Sequence, residues 1–154
     1  TPDGPRVIEV NGRMGGGVLD MVEVSSGVNL LALQFRAALG ERLDIQGELK
    51  ADRIGFRIFC QPPSTATRLI SVGGLQSVAK IPQVLEVAMH LEPGDRIDVT
   101  QGSRAFVFSV IGAASCHGEV LEVTRAMYEA ADVCYEHSGI SAEAARGEPM
   151  CCTS

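Results

Sequence analysis

Basic residues are scarce: 13 lysines and arginines stand against 19 aspartates and glutamates, a formal charge of −6. That balance builds no phosphate-facing basic surface, so nucleic acid is not an expected partner. Apolar runs of the ~20 residues that a membrane-spanning helix needs are missing too, because the longest helical stretches are broken by Gln34, Arg36 or Glu122. No membrane partner is expected. The five cysteines, at positions 60, 116, 134, 151 and 152, include no Cys-x-x-Cys pair. An odd, scattered set of this kind reads as reduced thiols, which makes a cytoplasmic setting the expectation. Internal repeats, low-complexity tracts and coiled-coil heptads are absent, which excludes solenoid and fibrous architectures. An initiator methionine and a basic-then-apolar signal segment are absent as well; the chain opens on Thr-Pro-Asp-Gly-Pro, a turn sequence, and the expectation is that earlier elements lie upstream.

What is present suffices for one compact domain or two small ones: 154 residues with 45% apolar content, able to bury roughly 70% of the unfolded surface. Residues 6–11, Arg-Val-Ile-Glu-Val-Asn, read as a strand ended by Asn11-Gly12, with Glu9 and Asn11 on one face by period two. Gly15, Gly16 and Gly17 precede a helix over 18–24. A second helix over 29–39 has Asn29 as cap and Gly40 as stop, and places Leu31, Phe35, Ala38 and Leu39 on a stripe that suits the core. After a polar connector to Lys50 the pattern turns to strands: 53–60, with Ile54, Phe56, Ile58 and Cys60 on one side, then 68–72, 83–91, 96–100 and 106–111. Ser115 opens a helix reaching about His137, with Val120, Val123, Met127, Ala130 and Cys134 at core spacing, and the residues from Ser138 form a mobile tail. The class is α+β.

The chemistry concentrates near the start. A carboxylate and an amide oxygen two residues apart on a strand, Glu9 and Asn11, project together and suit a hard cation such as Mg²⁺. Arg13 is placed to hold a phosphate, and the glycines let backbone approach an anion at the start of the following helix. On residue types alone, an edge-strand glutamate followed by a turn-forming Asn-Gly explains the same pattern.

The run from Pro5 to Gly17, Pro-Arg-Val-Ile-Glu-Val-Asn-Gly-Arg-Met-Gly-Gly-Gly, with Ser-Ser-Gly-Val-Asn-Leu at 25–30, resembles the carboxyl-terminal end of ATP-grasp carboxylate–amine ligases, and most closely the L-amino-acid ligase type. The resemblance implies that Glu9 bridges two Mg²⁺ ions, that Asn11 binds one of them, and that Arg13 contacts the phosphate or acyl-phosphate. It implies ATP as co-substrate and small carboxylate and amine substrates, with Gly15, Gly16 and Gly17 bordering the pocket. It divides the chain into the end of the ATP-grasp catalytic domain (1–45), a small α+β subdomain with an antiparallel sheet and closing helix (46–137), and the tail (138–154). The family's ATP-binding lobes lie upstream of such a strand, so the isolated chain is expected to be inactive. The alternative is a stand-alone binding or scaffolding module that keeps the fold without catalysis. An unpaired strand edge and an exposed helix face would favour self-association, with which a homodimer is compatible.

Four further features have simpler explanations. Cys116-His117 at a helix start has the makings of an activated thiol, but adjacent side chains on a helix diverge and packing roles suffice. His90 and His137 lack metal-ligand spacing and read as surface or core residues. Cys151-Cys152-Thr153-Ser154 has the outline of a prenylation box without its aliphatic residue or upstream basic segment, and reads as a tail with incidental thiols. Gly73-Gly74 makes either a tight turn or a close backbone approach to a ligand, and the turn is the simpler reading.

Overall fold

The structure is a computed structural model that describes residues 4, 6, 15, 17–43 and 51–138. Its elements are α1 (Val18–Ser26), α2 (Leu30–Ala38), β1 (Ile54–Cys60), β2 (Ala66–Gly73), α3 (Leu75–Val78), β3 (Val84–Met89), a 3-10 segment (Val99–Ala105), β4 (Phe108–Ala114), α4 (His117–Ala130) and β5 (Asp132–His137). The expected opening strand at 6–11 lies, Arg6 aside, outside the described residues, as does the tail beyond Ser138.

Two antiparallel sheets form the frame. The first has the order β1-β4-β3 and the second pairs β2 with β5. Strand β4 is central and is buried along most of its length. Its sequence, Phe-Ser-Val-Ile-Gly-Ala-Ala, is accordingly apolar almost throughout rather than alternating. One face of β1 carries Phe56 and Cys60 into a core shared with Leu69, Val78, Phe108, Val110, Val123 and Met127. The register Phe56↔Gly112 explains a glycine in the middle of β4, since a methyl at Gly112 would collide with the Phe56 ring and the Gln83 carbonyl. The opposite face of β1, bearing Gly55, Arg57 and Phe59, lies toward α1, which packs on β1 and β4. Gly55 permits the approach: a methyl there would stand 2.5 Å from the Met21 carbonyl oxygen.

The two helices form largely as their end signals dictate. Gly27 closes α1 in a left-handed conformation (φ 73°), its N–H donating to the Glu23 carbonyl at 2.7 Å. The Asn29 side chain caps α2 by accepting from the Ala32 N–H at 2.7 Å, and its amide donates to Glu23. The burial expected for α2 is not found: Phe35 is 64% exposed and Leu39 80%, with Leu31 and Ala38 exposed as well. Among the described residues α2 leans chiefly on α1, so its apolar stripe has nothing to enter. No single described helix is long and apolar enough to cross a membrane; α1 and α2 pass that test only as a pair, bent by 110°.

Two further expectations are corrected. Residues 96–100 are not a strand: Arg96 keeps one bridge to Arg68, and the Asp98 carboxylate then accepts from the Thr100 N–H at 3.0 Å and its hydroxyl at 2.6 Å, turning the chain into the 3-10 segment. The closing helix stops at Ala130, and Asp132–His137 is a strand on β2 with Leu69 opposite Tyr135. Val133 and Tyr135 pack against the core at period two, which leaves Cys134 exposed instead of on a helical stripe.

Candidate functional site

Glu9, Asn11, Arg13 and Gly16 lie outside the described residues, and Gly15 and Gly17 lie within them. Gly17 is the N-cap of α1 in a left-handed conformation (φ 80°) and makes no side-chain capping bond. Pressed against it is an arginine from the sheet. A methyl on Gly17 would stand 2.7 Å from Arg57 Nη1, so the backbone angle favours glycine at this position and a side chain there would shift the arginine.

Arg57 is the hub of a polar cluster on the α1 side of the sheet. Antiparallel pairing sets Phe59 opposite Ser109 and Ser109 opposite Ala88, so Arg57, Ser109 and His90, each one step of two along its strand direction, reach the same face. Arg57 Nη2 donates to Ser109 Oγ at 3.3 Å, and Ser109 Oγ lies 2.9 Å from His90 Nε2. Ser109 Oγ accepts from Arg57 and keeps one proton and a second lone pair, so its bond with a neutral His90 runs in either direction, set by the imidazole tautomer. Burial, and then the Arg57 charge, hold the His90 pKa below its ordinary value, in keeping with that neutral form. The guanidinium lies 5.0 Å over the Phe59 ring, itself stacked on Phe106 at 4.2 Å between centroids. Asp20 of α1 stands 4.0 Å from Nη1, a loose pair with the aspartate half exposed. Ser109 is 1% exposed, and the buried Arg57 Nε has no hydrogen-bond partner.

The described residues share a fold with two solved structures. An L-amino acid ligase from Bacillus licheniformis matches with a TM-score of 0.72 and 23% identity, over 86% of this chain and 33% of that one. A phosphoribosylglycinamide synthetase from Anaerococcus prevotii matches with a TM-score of 0.63 and 14% identity, over 77% of this chain and 30% of that one. The fold is a partial ATP-grasp fold. The chain thus spans about a third of the length of the ATP-grasp structures it matches. No protein-family model and no curated protein matches it.

The Arg57 cluster was not singled out by the sequence, although signals for it exist. Arg57 is a lone charge inside the apolar run Ile54–Cys60, and Ser109 is a lone hydroxyl inside the most apolar strand. His90, read as an ordinary surface or core residue, is exposed, and its ring bonds to the one buried polar side chain among the described residues. His137 is tied locally, its Nδ1 2.7 Å from Thr65 Oγ1. Cys116 is the N-cap of α4, and that helix end is fastened by Glu119, which accepts from the Ser115 N–H and hydroxyl, each at 2.8 Å. These bonds hold the Glu119 carboxyl below the usual carboxylate range, the backbone bond contributing most. Gly74 (φ 76°) makes its close approach to the Ala130 carbonyl of α4, not to a cavity.

Proposed function

We propose that the chain is the carboxyl-terminal part of an ATP-dependent ligase that joins a carboxylate to an amine through an acyl-phosphate. The supporting observation is the partial ATP-grasp fold, matched to part of an L-amino acid ligase, in a chain whose start reads Glu9-Val-Asn11-Gly-Arg13 before a glycine loop. The donor set suits its role: a carboxylate and an amide carbonyl are hard oxygen ligands appropriate to Mg²⁺. In this reading Glu9 and Asn11 hold the metal, which when bound neutralises phosphate charge and orients the transferring group. Arg13 holds the phosphoryl oxygens through charge-assisted hydrogen bonds. Gly15 to Gly17 let the backbone close on the carboxylate, and α1 carries that loop against the sheet. The carboxylate oxygen attacks the γ-phosphorus of ATP and ADP leaves; the amine nitrogen then attacks the acyl carbon, inorganic phosphate leaves with the C–O electron pair, and the amine's proton passes to solvent. The reduced thiols fit a cytoplasmic setting.

The test is made on the complete polypeptide, with the upstream ATP-binding lobes joined to this chain. Amino-acid-dependent ADP release from Mg-ATP should proceed at roughly 1 per second or faster, fall by roughly 100-fold or more in Glu9→Gln, and be absent from the isolated 154-residue chain. Undiminished release in Glu9→Gln, or turnover by the isolated chain, refutes the assignment.

A further inference from the structure

We propose that Arg57, backed by Ser109 and His90, forms an oxyanion-binding site beside Gly17 at the start of α1, for a carboxylate or phosphoryl group. A guanidinium has five N–H donors and no acceptor. Here, among the described residues, Nη2 has Ser109, Nη1 has only the loose contact with Asp20, and the buried Nε has none. Nε is closed to solvent, so the 19% of the side chain that stays exposed is where an oxyanion would meet this under-satisfied charged group, and an acceptor with two or three oxygens suits it. The fork is shielded and yet not sealed.

The surroundings hold the fork still. Phe59 and Phe106 form a stacked floor beneath it, Ser109 fixes one nitrogen, and His90 holds the Ser109 hydroxyl from the far side. Neutral His90 adds no second positive charge, and Asp20, which is on α1 and half exposed, is the one carboxylate within ion-pair range among the described residues. A guanidinium that is fixed before the ligand arrives loses little freedom on binding. Gly17 completes the arrangement by bringing the loop backbone against Nη1, where a side chain would displace the arginine. The proposal rests on the ligase reading only for which substrate brings the oxyanion; the binding itself is a property of this chain.

The test is therefore equilibrium binding without turnover. The intact chain is titrated at constant ionic strength with inorganic phosphate and, separately, with acetate, while NMR follows the Arg57 Nε–Hε signal and the Gly17 amide. One or both anions should shift these two signals together and saturably, with a dissociation constant on the order of 1 mM. Saturation by phosphate alone assigns a phosphoryl group, and saturation by acetate assigns a carboxylate. Arg57→Lys, which keeps the charge, should weaken binding roughly tenfold because the planar fork is lost, Arg57→Gln should abolish it, and Arg53→Gln, at an exposed arginine before β1, should leave it. No saturation with either anion, equal affinity in Arg57→Lys, or loss of binding in Arg53→Gln overturns the site. The ligase reading fails separately, in the ADP-release assay on Glu9→Gln.

Discussion

Gly74→Ala probes the packing of the second sheet against α4, because two costs coincide at that residue. The backbone is left-handed at φ 76°, which disfavours a non-glycine residue by about 1–2 kcal/mol. A methyl there would also run into the Ala130 carbonyl oxygen at the α4–β5 junction, and forcing an atom into a filled space adds about 1–3 kcal/mol. The total is about 2–5 kcal/mol. Gly94→Ala is the control, since φ is 101° and a methyl meets nothing within 4 Å, which leaves about 1–2 kcal/mol of backbone cost alone. For a chain of this length the melting temperature falls by roughly 2–4 °C per kcal/mol. Gly74→Ala should therefore melt roughly 4–20 °C below wild type, and Gly94→Ala roughly 2–8 °C below. Thermal unfolding followed by circular dichroism reads both. Equal melting temperatures for the two variants would refute the close approach of β2 and α3 to the end of α4.

The exposed stripe of α2 gives a second prediction: Phe35→Ser with Leu39→Ser should change the stability of this chain by no more than about 0.5 kcal/mol, while lowering its self-association in light scattering. A large loss of stability would show that the stripe is packed. His90 supplies a pH dependence. Its folded-state pKa is depressed, so as pH falls below about 6.5 the unfolded chain takes up the proton first. Stability then drops, levelling off once folded His90 is also protonated. Urea unfolding at pH 7.5 and 5.5 should show a smaller decline in His90→Gln than in wild type, and equal declines would contradict the burial and charge assigned to that ring. At α4, Glu119→Gln should weaken the helix end and remove a loss of stability on acidification through the carboxylate range, measurable by the same unfolding series near pH 3 to 5.

Local structure was legible wherever local chemistry decides it. Asn29 and Gly27 announce the ends of α2 and α1, and the alternation of Phe56, Ile58 and Cys60 announces β1, because caps and period two are written into neighbouring residues. Tertiary choices were not legible. Met127, Ala130 and Cys134 sit at helical spacing, while Val133, Tyr135 and His137 sit at strand spacing; the pairing with β2 settled the contest. The exposure of α2 was hidden for a related reason, since amphipathic spacing says that a face is apolar and not that a partner is present. The Arg57 cluster needed the register that sets Phe59 opposite Ser109, a relation between residues 50 apart in the chain. Glu9, Asn11 and Arg13 were the reverse case, readable only as a motif and outside the described residues.

That the chain is the carboxyl-terminal part of a longer ligase is tested most directly by reading the coding DNA upstream of the Thr1 codon in frame. The expected result is an open frame of several hundred bases encoding lysine-bearing, glycine-rich ATP-binding lobes and an acidic metal ligand shortly before Thr1. A start site just before Thr1 would contradict it, and would leave a small binding or scaffolding module that uses the same fold without the ligase reaction.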